Sequence, residues 1–166
     1  MMEETGKAGF VYTIETLDAQ GTVIDTEVVK NLIPVEGLNY MLGASLTGVT
    51  PQTSWYVGLF KGNYTPLNTD TAAGFAAAST EFTDYAGNRP VFSASAPAGG
   101  ALTNAAAKAE ITFNTDTTVY GGFICSAAGK GAASGVLISA VRFASPKAPG
   151  AGGLLRITAG LTLFSA

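Results

Sequence analysis

The sequence predicts a mainly β, single-domain fold: a β-sandwich or jelly-roll-like domain with one short helix near residues 34–46. Three observations lead to this prediction. The chain has 166 residues, which is the size of one domain. Seven or more short segments rich in β-branched and aromatic residues are separated by turn residues. No repeat or shift in composition marks a second domain, so residues 9–166 are predicted to form a single β-rich domain. Residues 1–8 are polar and are predicted to be a flexible N-terminal segment.

The first two predicted strands form a hairpin. Residues 9–17 and 22–30 are rich in β-branched residues, and Asp18–Gly21 supplies a four-residue loop between them. Both faces of the second strand mix apolar and charged side chains. The pattern is therefore typical of an exposed or edge ribbon.

The helix prediction rests on signals at both of its ends. Pro34 suits the first helical position, Glu36 suits the positive end of the helix dipole, and Gly48 follows where a C-terminal cap is expected. Four apolar residues recur at helical spacing and form one stripe: Val35, Leu38, Leu42 and Leu46.

The remaining elements are mostly strands. Trp55–Phe60 is nearly all apolar, which predicts a central strand buried on both faces, with Trp55, Val57, Leu59 and Phe60 in the core or a closed interface. Residues 61–69 are predicted to form a loop, and the Ala-rich residues 70–79 are predicted to form a second, short helix. Further strands are predicted at residues 90–96, 107–114, 118–126, 136–143 and 153–164. Flexible connectors are predicted at 97–100, 129–135 and 146–153.

Charge and composition exclude several classes of partner. Nine Lys and Arg stand against twelve Asp and Glu, for a net charge of −3, and the basic residues are scattered. Nucleic acids and anionic membranes are bound through basic patches or faces, so neither is an expected partner. The N-terminus lacks the basic and apolar regions of a signal peptide, which predicts synthesis in a cytoplasm.

Residues for catalysis and metal binding are scarce. Histidine is absent, which removes the commonest general base and metal ligand. Cys125 is the single cysteine and lies in an apolar run, so an internal disulfide is impossible and a buried, inert thiol is predicted. We therefore expect no catalytic, cofactor-binding or metal-binding residues and no cofactor, and the chain is not expected to be an enzyme.

Two groups of residues are candidate sites. Asp70, Glu81, Asp84 and Arg89 are the nearest approach to a charged constellation, and Glu81 with Asp84 would be the carboxylate pair of an enzyme or a calcium site. A local ion pair between one of these carboxylates and Arg89 is the favoured interpretation.

The other candidate is a set of aromatic residues, which could form a stacking platform for a sugar or a base. Packing in the core is the favoured interpretation for this set: Tyr12, Trp55, Tyr56, Phe60 and Tyr64. The glycine-rich segments match no phosphate-binding motif and are predicted to be turns.

Several strings along the chain resemble a known family. They include Asn31–Leu42, Trp55–Phe60 with Asn63–Pro66, Tyr85–Pro90, Tyr120–Phe123 and Leu155–Leu163. This order, over residues 31–164, resembles small structural proteins of tailed bacteriophages, especially capsid decoration or cement proteins. The resemblance implies a non-enzymatic virion protein with a β-sandwich, bound to the capsid lattice as a symmetric oligomer.

From this resemblance we expect a protein on the capsid surface, made in the host cytoplasm. Its partners would be the major capsid protein and itself, as a dimer or trimer. The expected contact elements are residues 1–8, the loops at 97–100 and 146–153, and the ribbon at residues 9–30. The alternative is a tail-tip or fibre component, in which a β module binds a receptor or a carbohydrate.

Overall fold

The structure is a computed structural model that describes residues 8–163. In this range the chain forms eight strands, two short α-helices and one π-helical turn that continues the first helix. The strands are β1 (Ala8–Leu17), β2 (Val23–Lys30), β3 (Tyr56–Phe60), β4 (Ala101–Thr103), β5 (Ala109–Thr112), β6 (Val119–Cys125), β7 (Leu137–Lys147) and β8 (Leu154–Leu163). The helices are α1 (Val35–Leu42), with the π-helical turn at Gly43–Thr47, and α2 (Ala72–Ala78). The predicted N-terminal segment, residues 1–8, lies outside the described residues except for Ala8, which begins β1.

Two antiparallel sheets face each other and confirm the predicted β-sandwich. One sheet has the order β2–β1–β8–β4, with β5 pairing with the first half of β8. The other sheet has the order β3–β6–β7. The sheets bury a common core because their strands alternate: in β8, Leu155, Ile157 and Ala159 are buried while the residues between them are only partly covered.

The β3 strand is buried as predicted but does not lie in the middle of its sheet. Val57, Leu59 and Phe60 are fully buried. The strand pairs with β6 on one side only, and its other edge is bonded by an irregular segment, residues 81–92. The Phe82 N–H donates to the Leu59 carbonyl over 2.8 Å, and the Val57 N–H donates to the Pro90 carbonyl over 2.9 Å.

The prediction of a strand at residues 90–96 is wrong. Val91 forms one isolated bridge with Tyr56, and no ladder follows it in the described chain. Pro90 and Pro97 have no N–H to donate, which makes this stretch a poor ladder partner. Instead, residues 93–100 run exposed along the surface.

The α1 helix forms where it was predicted, but its apolar stripe faces away from the core. The fully buried position is Gly37, where an added Cβ would lie only 2.9 Å from the Ile138 Cα, so the absence of a side chain lets the helix approach β7. Tyr40 and Met41 cover the core beside it. The Ala-rich segment also forms its predicted second helix, α2.

Two connectors predicted to be flexible are hydrogen-bonded turns. At 97–100, Ala98 and Ala101 exchange N–H to carbonyl bonds of 2.9 and 3.0 Å, and Gly99 and Gly100 adopt the positive φ that this tight turn requires. In the segment 146–153, β7 runs on to Lys147, and the turn after it is bonded to its surroundings. Both connectors are therefore turns whose backbones are hydrogen-bonded to the surrounding chain.

Candidate interaction surface

The four charged candidates do not form one site. Glu81 and Arg89 pair in the core, whereas Asp70 accepts a 2.7 Å hydrogen bond from the Tyr64 hydroxyl. Asp84 is exposed and bonds to the Thr115 hydroxyl. The predicted local ion pair is confirmed with Glu81 as its carboxylate, and Asp84 takes no part in it.

Arg89 is the centre of a buried polar cluster. Its Nε and Nη2 donate to the two Glu81 carboxylate oxygens over 2.8 and 2.7 Å, and its Nη1 donates to the Ala127 carbonyl over 2.8 Å. The Gly131 N–H also donates to Glu81, over 2.6 Å. Desolvation, the largest effect, opposes the charged guanidinium, but the hydrogen bond to Glu81 and the electrostatic effects of the neighbouring groups together outweigh it and raise the pKa of Arg89. The cluster ties segment 81–89 to the β6–β7 connection, which is a structural role.

The single thiol belongs to this cluster. Cys125 is 3% exposed, and its Sγ lies 3.2 Å from Arg89 Nη1. Burial raises the pKa of the Cys125 thiol, and the nearby guanidinium only partly offsets this effect. The burial predicted for this thiol is confirmed, and a raised pKa disfavours the reactive thiolate. Within residues 8–163, no three acidic or cysteine side chains are grouped so that they could hold a metal ion.

The aromatic candidates are divided between two cores. Tyr12 is fully buried and donates to Ser139 Oγ over 2.7 Å, while Phe60 packs edge-on against Phe75 in a separate cluster. Trp55 is only half-buried, edge-on to Tyr40 with 5.3 Å between ring centroids. Tyr56 and Tyr64 are also half-buried; desolvation and Asp70 raise the pKa of Tyr64 to about 12. No shared stacking platform results.

Trp55 does line a small pocket at one end of the sandwich. The pocket has a volume of about 120 Å³, and its other walls include Phe92, Leu102 and Leu161. Every side chain that lines it is apolar. A sugar requires polar groups that fix its hydroxyls, and this pocket offers no such side chain.

Sequence reasoning missed a second ion cluster, which is centred on a buried lysine and joins the two sheets along one side. Lys147 is 4% exposed, and its Nζ donates to Asp25 over 2.7 Å and to Glu27 over 2.6 Å. Glu27 also accepts the Ala144 N–H over 2.6 Å. The only sequence signal was the alternation that puts Asp25 and Glu27 on the same face of β2. Their partner is about 120 residues away in sequence.

Two turn regions that contain no charged residue lie at opposite ends of the sandwich. The first comprises residues 93–100, beside the ends of β1 and β8, where the Leu163 N–H donates to the Gly100 carbonyl over 2.9 Å. The second is the turn at 148–153, which lies beside the other end of β1, against Leu17. It is bonded to Phe113 through the Gly152 N–H over 2.8 Å. The first is exposed throughout, whereas the second is exposed at Ala148, Ala151 and Gly152, where the Ala151 N–H donates to the exposed Asp116 carboxylate over 2.8 Å.

The predicted edge ribbon is confirmed. Among the strands of residues 8–163, β2 pairs with β1 and with no other, so β2 is the edge of its sheet. Val23, Ile24 and Val28 project from it with 45%, 57% and 65% exposure. β2 pairs with Val11–Leu17 of β1 and so borders most of that strand.

Neither a family model nor a curated protein matches this chain. In the described range, no helix has both the length and the apolar character that crossing a bilayer requires.

Proposed function

We propose that this chain is a non-enzymatic structural protein of a bacteriophage virion, which decorates the capsid surface and stabilises it by bridging major capsid protein subunits. The family resemblance of residues 31–164 motivates the proposal. One observation of the structure carries it further, namely the placement of exposed, uncharged turns at both ends of a rigid sandwich.

The distance between these ends suits a bridge. The turn regions 93–100 and 148–153 lie at opposite ends of the β1–β8 pair, and strands of ten residues span about 30 Å. Because the sandwich between them is a packed core, a load at one end is transmitted to the other. One copy of the protein therefore has the geometry to hold two neighbouring capsid subunits.

The composition of these ends suits lasting contacts. Residues 90–107 contain no charged side chain, and neither do residues 148–155. The core of a protein interface is depleted in charged residues in the same way. A few such contacts, each modest, add up when a lattice repeats them over a whole shell.

The arrangement of polar groups supports a structural role over catalysis. The buried charged side chains of the described chain are Glu81, Arg89 and Lys147, and each is held in an ion pair. A catalytic acid or base has to meet a substrate, and these groups are enclosed by protein.

Deletion of the gene for this protein from a phage that encodes it tests the proposal. We expect the mutant particles to lose resistance to heat and to internal pressure, because the bridges are missing, while adsorption to cells is unchanged. The purified chain added back should restore heat resistance. Particles that keep full thermal stability but fail to adsorb would contradict the proposal and assign the chain to the tail tip or a fibre.

A further inference from the structure

The α1 helix is apolar on two opposite faces, and the fold covers only one of them. Gly37, Tyr40 and Met41 face the core. The opposite stripe is exposed: Val35 by 46%, Leu38 by 40%, Leu42 by 58% and Leu46 by 78%. The helix also carries Glu36 and the exposed Asn39, but a surface helix normally turns its polar residues, and not a stripe of large apolar ones, to the solvent. We therefore expect another molecule to cover the outer stripe.

The exposed surface extends beyond the helix. Val49 lies beside the π-helical turn, where its N–H donates to the Gly43 carbonyl over 3.2 Å. Leu67 lies beside the start of α1, where the Val35 N–H donates to the Asn68 carbonyl over 2.8 Å. Together these side chains form what we name the α1 patch: Val35, Leu38, Leu42, Leu46, Val49 and Leu67.

The size of the α1 patch is that of an interface core. The six residues expose on the order of 500 Å², at the upper end of what a monomer usually shows as one apolar patch. This is more than half of the ~800 Å² that each partner contributes to a standard interface. The exposed residues 50–53 next to it would supply much of the remainder as a rim.

The patch also lacks charge. Residues 37–60 contain no charged side chain. Asp70, beside Leu67, is engaged internally, because its carboxylate accepts the Leu67 N–H and the Tyr64 hydroxyl, each over 2.7 Å. Glu36, at the start of α1, is engaged internally, because its carboxylate accepts the Ala72 N–H over 2.8 Å and the Leu137 N–H over 2.7 Å. The patch therefore has no charge with which to select an oppositely charged partner. It also has none that would repel an identical copy, although the chain as a whole carries −3.

We infer that the α1 patch is a homodimer interface, in which α1 of a second copy packs against it across a two-fold axis. A two-fold contact places the same surface on both sides, and an uncharged stripe of Leu side chains is complementary to itself in this arrangement. The inference goes beyond the proposed function, in which a single copy of the chain holds two capsid subunits.

The mass of the purified full chain in solution tests this interface. We expect about twice the chain mass of 16.8 kDa, and monomers for the double variant Leu42→Asp, Leu46→Asp. Self-association of that variant should be roughly 30-fold weaker or more, the loss expected when residues central to an interface are replaced. Ile24→Asp is the matched control, because Ile24 is 57% exposed and lies on β2, outside the patch. It should remain dimeric. Circular dichroism verifies that all variants are folded.

Cross-linking locates the two-fold axis independently. Leu42 is near the middle of the patch, so Leu42→Cys should form a disulfide-linked dimer on mild oxidation. Ile24→Cys should not. The native Cys125 is buried and does not interfere. A wild-type chain that is monomeric at every concentration, or a dimer broken by Ile24→Asp and not by the double variant, would overturn the inference.

The two proposals fail in distinguishable ways. A dimer that needs the α1 patch but leaves the heat resistance of capsid shells unchanged would contradict the capsid role alone. A monomer that stabilises shells, and loses this effect in the Leu42→Asp, Leu46→Asp variant, would show that the capsid protein covers the patch. That result would overturn the dimer and keep the capsid role.

Discussion

The guanidinium of Arg89 holds together parts of the chain that are distant in sequence. It pairs with Glu81 and reaches the Ala127 carbonyl, and both side chains of the ion pair are at most 2% exposed. Removal of one member of such a pair leaves the other charged and buried, which costs more than the pair itself contributes to stability.

We expect Arg89→Ala to lower the free energy of unfolding by about 3–5 kcal/mol, because Glu81 loses its partner inside the protein. Urea unfolding followed by circular dichroism measures this loss. Arg156→Ala is a matched control, since Arg156 pairs with Glu110 at the surface and its removal should change little. The double variant Glu81→Met, Arg89→Met should recover most of the stability, because it leaves no unpaired charge. Equal losses in Arg89→Ala and Arg156→Ala would contradict the structural role.

Part of this cluster, the ion pair, could be predicted from the sequence. The proximity of Glu81, Asp84 and Arg89 predicts a local ion pair, and the favoured interpretation was confirmed. The choice of Glu81 over Asp84 depends on which side chain faces the core, and the bond from the Gly131 N–H spans 50 residues. Such contacts follow from the packing of the sheets and leave no local pattern in the sequence.

Individual elements were predicted best where their pattern is strictly local. The alternation in β5 and β8 indicates both the strand and its buried face, because side chains alternate across a sheet. The stripe of α1 predicts a helix but not the side that meets the core. That side is set by the close approach of Gly37 to Ile138, a tertiary contact.

The contact between β2 and β7 should make stability depend on pH in two ranges. Desolvation opposes the charged form of Glu27, but bonds from Lys147 and from the Ala144 and Ser145 N–H groups outweigh it and lower the pKa of Glu27. Desolvation of Lys147 is likewise outweighed by Asp25 and Glu27, which raise the pKa of Lys147.

The signs of these two shifts define the limits of a stability plateau. The contribution of Glu27 is present above its ordinary pKa of 4.5 and is lost as pH falls through the lower pKa of the folded state. The contribution of Lys147 is present below its ordinary pKa of 10.5 and is lost as pH rises through the higher folded-state pKa.

We therefore expect Glu27→Gln to reduce the loss of stability in acid, and Lys147→Met to reduce the loss in alkali. Both variants should be less stable than the wild type on the plateau. Urea unfolding across the pH range measures both effects. Glu110→Gln is the control for the acid range, because the Glu110 side chain is 48% exposed. An acid slope in Glu27→Gln equal to that of the wild type would contradict this account.

For the whole molecule, composition and strand spacing were sufficient to predict a β-sandwich, but not the relative positions of its surfaces. The glycine and proline content of residues 97–100 and 146–153 predicts that both segments are connectors between strands. No local pattern predicts that the two connectors lie at opposite ends of the sandwich. Their separation follows from the register of β1 on β8, which joins Ala8 to Leu163 and Leu17 to Leu154. The bridging geometry therefore emerges only with the fold.

That geometry predicts that shell binding needs both ends of the molecule. Attachment at two points exceeds attachment at one by a factor of about 10²–10⁴ in affinity, provided that both engage together. Ala98→Arg in one turn region and Ala151→Arg in the other each place a large, charged side chain at an exposed turn position. Neither residue has a positive φ, so the turns themselves tolerate the change.

We expect either variant alone to bind purified shells, taken from particles that lack the protein, at least 100-fold more weakly than the wild type. Neither should raise the temperature at which those shells disrupt, because a copy held at one end restrains no neighbour. Ala77→Arg on α2 is the matched control, being an equally exposed alanine away from both ends, and should behave like the wild type. Sedimentation with shells measures binding, and light scattering during heating measures disruption. A single-end variant that still protects shells fully would contradict the bridge, because contacts at the other end would then be sufficient.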